Sequence, residues 1–319
     1  MTPRTVLVTA PSRLHFGMFS FGQPGERRYG GVGAMIDKPC LRVRISRARE
    51  LEAVGLLTAR AREFAVRYFD ALAITDRGYH IEILAAPPNH VGLGVGTQLA
   101  LSIIAGIRTL AGNPPLDAAK LAAIIGRGER SAIGTHGFDH GGLLVEAGKL
   151  EGEIVSPLTA QVAMPETWRF VLVVPRDEQG IHGIDERRAF RDLPPVPKET
   201  TRELWRIASD RLVPAAESGH FDGFSESLYQ YGLVAGLCFA KFQHGAFASE
   251  RLQRLVREIR GMGVRGVGQT SWGPTVFALT SDEMAAQKLI QSLRALSELD
   301  ASDLVIAAPQ NHGAKIETE

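Results

Sequence analysis

Three glycines alternate in Pro88-Asn89-His90-Val91-Gly92-Leu93-Gly94-Val95-Gly96-Thr97-Gln98, and an apolar run from Leu99 to Ile107 follows directly. Such alternation suits neither a helix nor a strand, because each glycine costs backbone entropy there. It suits a loop with inward-pointing N–H groups that feeds a helix, whose own first N–H groups lack partners and carry the positive end of its dipole. A loop of this kind takes phosphate; the plainer reading is a helix-leading turn with no ligand. The pattern is not Gly-x-x-x-x-Gly-Lys-Ser/Thr, so a P-loop NTPase is not supported. It also lacks the order and trailing acid of a dinucleotide fingerprint. A second glycine-bearing turn, Gly266-Val267-Gly268-Gln269-Thr270-Ser271-Trp272-Gly273, enters a β-forming run, and Ser12-Arg13-Leu14-His15-Phe16-Gly17 follows the first one. His136 and His140 lie in a further stretch rich in glycine and histidine, Gly134 to Gly142. Pairs such as Arg27-Arg28 and Arg187-Arg188 read as solvated faces or as local anion sites.

The elements that must hold these residues are legible in outline. Val6 to Ala10 reads as a strand that Pro11 breaks. Leu41 to Ile45 and Tyr79 to Leu84 alternate with the strand period, and Thr58 to Leu72 has helical spacing. Residues 98–111 are apolar all round, which implies a helix buried on every side. Asp117 to Ile125 reads as the next helix and Gly134 to Gly142 as a loop. Leu143 to Glu146 and Leu150 to Ile154 flank Gly148-Lys149 as a hairpin. Polar, irregular composition from Leu158 to Trp168 places a domain boundary there. Phe170 to Val174 follows as a strand, and residues 175–197 form a long loop of the kind that serves as a lid. Helices over Thr201 to Leu212, Gly223 to Phe242, Leu252 to Arg260 and Ser281 to Leu296, with strands at Pro274 to Leu279 and Asp303 to Ala308, complete an irregular α+β order in two lobes.

With 319 residues, 45% of them hydrophobic and 22% charged, the chain is expected to be a soluble globular protein of two domains. A formal net charge of +1 gives no global field for nucleic acid or an anionic membrane. No run of about 20 apolar residues and no secretory leader is legible, so a cytoplasmic protein is expected. Cys40 and Cys238 have no metal-ligand spacing and read as small buried residues rather than a disulfide.

These segments, in this order, resemble the GHMP kinases. Pro88 to Gln98 is similar to that superfamily's second motif, Gly266 to Leu279 to its third, and Ala10 to Gly17 stands in place of its first. The resemblance implies an N-terminal lobe over 1–160 of the ribosomal protein S5 domain 2-like kind. It implies a ferredoxin-like C-terminal lobe over 161–319. Two kinase parts depart from the pattern. Val95 and Gly96 replace the paired serines after Gly-Leu-Gly. In the stretch expected to hold the hydroxyl-activating acid, Asp139 sits too near Gly141-Gly142. The altered segments, Gln269-Thr270-Ser271-Trp272-Gly273-Pro274 above all, resemble the β-ribofuranosylaminobenzene 5′-phosphate synthase branch. Gly183-Ile184-Asp185-Glu186, Phe190 and Gln310-Asn311-His312-Gly313-Ala314 fit that branch as well.

That branch implies a decarboxylating phosphoribosyltransferase of tetrahydromethanopterin biosynthesis. It joins phosphoribosyl pyrophosphate to 4-aminobenzoate or 4-hydroxybenzoate and releases carbon dioxide and pyrophosphate. The backbone of Gly92, Leu93, Gly94, Val95, Gly96, Thr97 and Gln98, and the turn at Gln269, Thr270 and Ser271, are then expected to take phosphate oxygens. Arg13 and His15 are candidates for the aromatic carboxylate or the phosphate. His136 and His140 are candidates for proton handling, Trp272 for stacking on the ring or packing beneath the turn, and Glu186 for metal or substrate. His90 and His182 read as loop histidines. Mg2+ bridging the pyrophosphate is the expected cofactor, with no protein ligand set legible and no organic cofactor. A homodimer is implied. An ATP-dependent small-molecule kinase and a non-catalytic ligand-binding protein are the alternatives.

Overall fold

The computed structural model describes residues 4–176, 178–243, 245–296, 299 and 302–319. Two long antiparallel strands, β1 (Thr5–Ser20) and β2 (Tyr29–Arg47), form its spine. Pro11 does not end β1. The register slips between Ala10 and Ser12, and a proline, having no N–H to donate, is tolerated at such a bulge. β3 (Glu52–Gly55) runs parallel to β4 (Tyr79–Ala85), with α1 (Thr58–Ala71) as their crossover. Val6, Val8 and Ala10 of β1, with Leu41, Val43 and Ile45 of β2, pack under α1 and α2 (Val95–Leu110). As its apolar circumference demands, α2 is enclosed nearly all round, by the sheet, α1 and α3 (Ala118–Ile124). At Gly106 it lies so close that a Cβ would strike Ile45.

Most of Gly134 to Gly142, expected as loop, lies in the helix α4 (Ile133–Asp139). Glycine is a poor helix former, but Gly137 has Met35 packed where its Cβ would stand, so close packing outweighs propensity. The expected hairpin is also revised. β5 (Leu143–Glu146) pairs with β6 (Leu158–Val162), while Leu150 to Ile154 is a turn. Glu153 fixes that turn by accepting from Leu150 N and from the Arg27 guanidinium.

The second lobe holds β7 (Arg169–Pro175), β8 (Val267–Gln269), β9 (Val276–Thr280) and β10 (Ser302–Ala307). They form an antiparallel sheet in the order β10-β7-β9-β8, which is the ferredoxin-like arrangement. The region 175–197 is not all loop: it contains α5 (Gly183–Asp192). α6 (Lys198–Ile207), a π-turn (Ala208–Leu212), α7 (Val213–Glu217) and α8 (Phe221–Leu237) follow. They share one core with β7, β9 and the far half of β1. α9 (Ala240–Gln243) is short; α10 (Glu250–Gly261) and α11 (Glu283–Leu293) cover the sheet's other face. Cys40 and Cys238 are free but only half-buried, not enclosed.

The chain crosses between the sheets twice. It leaves the first after Val162 and returns after Ala307, where β11 (Lys315–Thr318) pairs with β1. The last strand therefore belongs to the first sheet, not to a lobe running unbroken from residue 161. Asn311 ties the two crossings together, accepting from Met164 N and donating to Met164 O at 2.8 Å each. Gly141 and Gly313 let α4 and this strip touch backbone to backbone.

Candidate active site

The three glycine-bearing segments are joined by main-chain hydrogen bonds at one point. Arg13 N donates to Leu93 O at 3.0 Å and Ser271 N to His15 O at 2.9 Å. The buried Thr270 hydroxyl donates to Gly92 O at 2.8 Å and accepts from His15 N at 2.9 Å. Gly92 and Gly94 have φ of 89° and 76°. At Gly92 a Cβ would run into the Thr270 carbonyl, so glycine is required both by the turn and by the approach. Gly94 caps α2 without a side-chain hydrogen bond, and Val95, Gly96 and Thr97 open onto a cavity of about 530 Å³.

Six arginines, at 13, 60, 67, 127, 130 and 187, line that cavity. The Arg13 guanidinium packs on Gly94, its Nε 3.1 Å from where a Cβ would stand, and a Cβ on Gly96 would collide with Arg60. Arg60 donates to Asn89 Oδ1 at 2.6 Å and Arg127 to Thr97 Oγ1 at 3.0 Å. Burial pulls Arg13 down to about 10, and it pulls Arg60 and Arg127 below the ordinary arginine range; for Arg127 the neighbouring Arg60 adds to the shift. At about 10, Arg13 remains cationic at neutral pH. The Nε atoms of Arg13 and Arg127 are closed off from solvent and find no acceptor among the described residues. Bare loop amides, a helix start and crowded guanidinium groups with unmet donors are the chemistry of a polyanion site.

The opposite wall comes from α5 and the loop before it. Glu186 pairs with Arg130 at 2.6 Å, both mostly buried, and the Trp272 indole donates to the same carboxylate. Burial raises the Glu186 carboxyl against the pull of Arg130. Arg130 also lies over the Phe190 ring at 5.0 Å. The His90 and His182 rings stack at 3.6 Å, and Gly180 N donates to His90 O, joining this loop to the glycine loop. Burial is the main reason that His90 titrates below its ordinary range.

Behind Arg13 lies a fully buried carboxylate, Glu146 on β5. It accepts from Ser131 Oγ at 2.6 Å and Ala132 N at 2.7 Å, and so fixes the cleft-lining Ser131. Burial raises its carboxyl above the ordinary glutamate range. The folded chain then keeps this proton at a pH where the unfolded chain has lost it, so its contribution to stability falls as pH rises through the raised range. Glu146→Gln removes that titration. Melting temperatures taken from about pH 4.5 to about pH 8 should shift in the variant's favour, relative to wild type, as pH rises. A difference independent of pH would contradict the assignment.

Of the candidate site residues read in the sequence, Arg13, Gly92, Leu93, Gly94, Val95, Gly96, Thr97, Glu186, Arg187, Ser271 and Trp272 meet at this cavity. The others do not. Gln98 is buried and donates to Gly134 O; Gln269 braces its own turn through Ser271 O and Ala248 N; Thr270 is the internal stitch described above. His136 donates to Ser156 O from within α4, and His140 is exposed at that helix's end, so the helical turn carries both away from the cleft. His15 faces a neighbouring pocket instead. Trp272 is 8% exposed and sits edge-on to Phe239 and Phe190, packing beneath the turn. Sequence reasoning missed Arg60, Arg127, Arg130, Ser131 and the His90–His182 pair. Only the glycine-flanked Gly126-Arg127-Gly128 carried a readable signal.

Residues 57–142 match the model of the GHMP kinases N terminal domain and residues 212–298 that of the GHMP kinases C terminal domain. The chain is 28% identical to the beta-ribofuranosylphenol 5'-phosphate synthase of Archaeoglobus fulgidus, over 96% of this chain and 98% of the relative. It is 26% identical to the enzyme of that name from Methanothermobacter thermautotrophicus, over 87% and 89%. The homoserine kinase of Cytophaga hutchinsonii superposes with a TM-score of 0.67 at 17% identity, covering 99% of this chain and 98% of that one. With both lobes matched in order around a cleft built from all three glycine-bearing segments, the chain belongs to the GHMP kinases.

Proposed function

We propose that the protein condenses phosphoribosyl pyrophosphate with 4-aminobenzoate or 4-hydroxybenzoate to a β-ribofuranosyl C-glycoside 5′-phosphate, in tetrahydromethanopterin biosynthesis. The observation that carries this reading is the arginine-lined cleft over the glycine loop, in a chain that matches synthases of this kind along nearly its whole length. The aromatic carbon bearing the carboxylate attacks the anomeric carbon. The bond from that carbon to the pyrophosphate oxygen breaks, and its electron pair leaves with the diphosphate. The bond to the carboxylate then breaks, its pair restores the aromatic ring, and carbon dioxide departs. No net proton moves, so the distance of His136 and His140 from the cleft costs the reaction nothing.

Arg13, Arg60 and Arg127 hold the diphosphate as charge develops on it, with the N–H groups of Gly94, Val95 and Gly96, while the Thr97 N–H closes the turn on Gly94 O. Among the described residues no three His, Cys, Asp or Glu side chains come together as a metal site. Mg2+ would be held chiefly by pyrophosphate oxygens and water, with two carboxylates on the cleft wall, the exposed Glu129 and the Arg130-paired Glu186, of which Glu129 is the better suited to add a ligand. When bound, it supplies further neutralisation of the leaving group. Val95 and Gly96 offer no hydroxyl to such an ion. No described helix is long and apolar enough to cross a membrane, and a cytoplasmic homodimer is the form that the family resemblance implies.

The test is release of labelled carbon dioxide from carboxyl-labelled acid. It should require phosphoribosyl pyrophosphate and proceed without ATP. Phosphorylation of an alcohol by ATP, with no carbon dioxide formed, would overturn the reading in favour of a kinase. Ligand binding without any turnover would point to a non-catalytic protein.

A further inference from the structure

A second pocket adjoins the main cleft and shares Met18, Ser271 and Trp272 with it. Phe16, Ala235, Phe239 and Phe247 give this pocket apolar walls. Two of its lining residues each carry an orphaned polar atom. His15 Nε2 and Gln243 Oε1 are closed off from solvent, and neither finds a hydrogen-bond partner among the described residues. Both side chains are deeply buried, at 2% and 5% exposure. Buried polar atoms are nearly always paired, so two orphans in one small apolar pocket point to a ligand that satisfies both.

We infer that this side pocket receives the ring of the aromatic acid, its para amino or hydroxyl group meeting His15 Nε2 and Gln243 Oε1 and its carboxyl-bearing carbon lying at the junction with the main cleft. The inference rests on the function proposed above. The pocket is small, about 40 Å³, so it takes the para end of a flat ring and leaves the carboxyl end in the cleft. That orientation is the one the chemistry needs. The carbon that forms the new bond must face the sugar among the arginines, and the para position is the opposite end of the ring. The para heteroatom feeds electrons toward that carbon and becomes positive as the bond forms. A hydrogen bond from its N–H or O–H to Gln243 Oε1 therefore strengthens in the transition state. His15 pairs with the same heteroatom. Burial and the neighbouring Arg13 hold its imidazole well below the ordinary range, so it adds no competing charge.

Two variants test this. Gln243→Leu removes the acceptor at similar size. Gly232→Leu fills the pocket from α8, where an added Cβ has nothing nearer than Phe16 O at 3.9 Å. In Gly232→Leu, the KM for 4-aminobenzoate should rise about tenfold or more while that for phosphoribosyl pyrophosphate stays within about twofold. In Gln243→Leu, the preference for 4-aminobenzoate over benzoate, measured as a ratio of calorimetric Kd values, should fall about tenfold. Thermal melts report folding, and Gln243→Leu decides alone if Gly232→Leu does not fold. Folded variants that bind 4-aminobenzoate like wild type, or lose both substrates in parallel, would overturn the inference. Failure of the wild type to release carbon dioxide would overturn the proposed reaction instead. Calorimetry with 4-aminobenzoate, with and without pyrophosphate, would still report whether the acid fills the pocket.

Discussion

Arg13→Ala should lower kcat/KM for phosphoribosyl pyrophosphate roughly a thousandfold, the scale of losing a pre-placed donor to developing negative charge. The melting temperature should change little, because the alanine variant removes a buried cation whose Nε is unmet among the described residues. Arg13→Lys keeps the charge but loses the planar fork, so it should recover only part of the rate. The backbone N–H of residue 13, which donates to Leu93 O, survives both changes. Steady-state kinetics beside thermal melts check this. Near-normal turnover in the alanine variant would remove Arg13 from the reacting centre.

The largest effect on stability is expected at Gly92. Alanine there must adopt a φ near 89° and meets the Thr270 carbonyl. Strain and a disturbed buried hydrogen bond together should cost about 3 kcal/mol. Because Thr270 holds the glycine loop to the Ser271 turn, activity should fall with stability. Gly112→Ala is the control: its φ is 72°, but an added Cβ would have open space. Urea denaturation of the two variants separates backbone strain from collision. Equal losses would mean that the stitch at Thr270 is not what fixes the loop.

How much of this was legible follows from where each signal lives. The glycine loop could be read because its chemistry is local: amides, a helix start and a spacing. The buried α2 could be read from its apolar circumference. Arg60 could not, since between Ala59 and Ala61 on an amphipathic helix it reads as a solvent-facing charge, and only the docking of α1 beside Gly96 brings it to the cleft. His136 and His140 misled because glycines suggested a loop, and in a helix the same residues turn toward Ser156 and solvent. Gln243, a single amide at the end of a four-residue helix, carries no pattern at all. Trp272 reads in the sequence either as a ring contact for substrate or as packing beneath the turn, and an aromatic cluster packs around it.

The paired crossings between the lobes constrain how the enzyme can move. Two strips of backbone clamped to each other at Met164 and Asn311 make a double-stranded hinge. Such a hinge permits rotation about one axis and resists twisting or sliding. Parting the lobes about that axis would break the bonds from Ser271 N to His15 O and from the Thr270 hydroxyl to Gly92 O. Access is expected instead at the smaller piece that closes the cleft, α5 and its preceding loop, which the Glu186–Arg130 pair, the Trp272 indole, the Gly180–His90 hydrogen bond and ring contacts of His182 and Phe190 hold down. Opening is then a local peeling of this one helix, which carries Arg187 with it, while Arg13, Arg60, Arg127 and the glycine loop beneath stay in place from one turnover to the next.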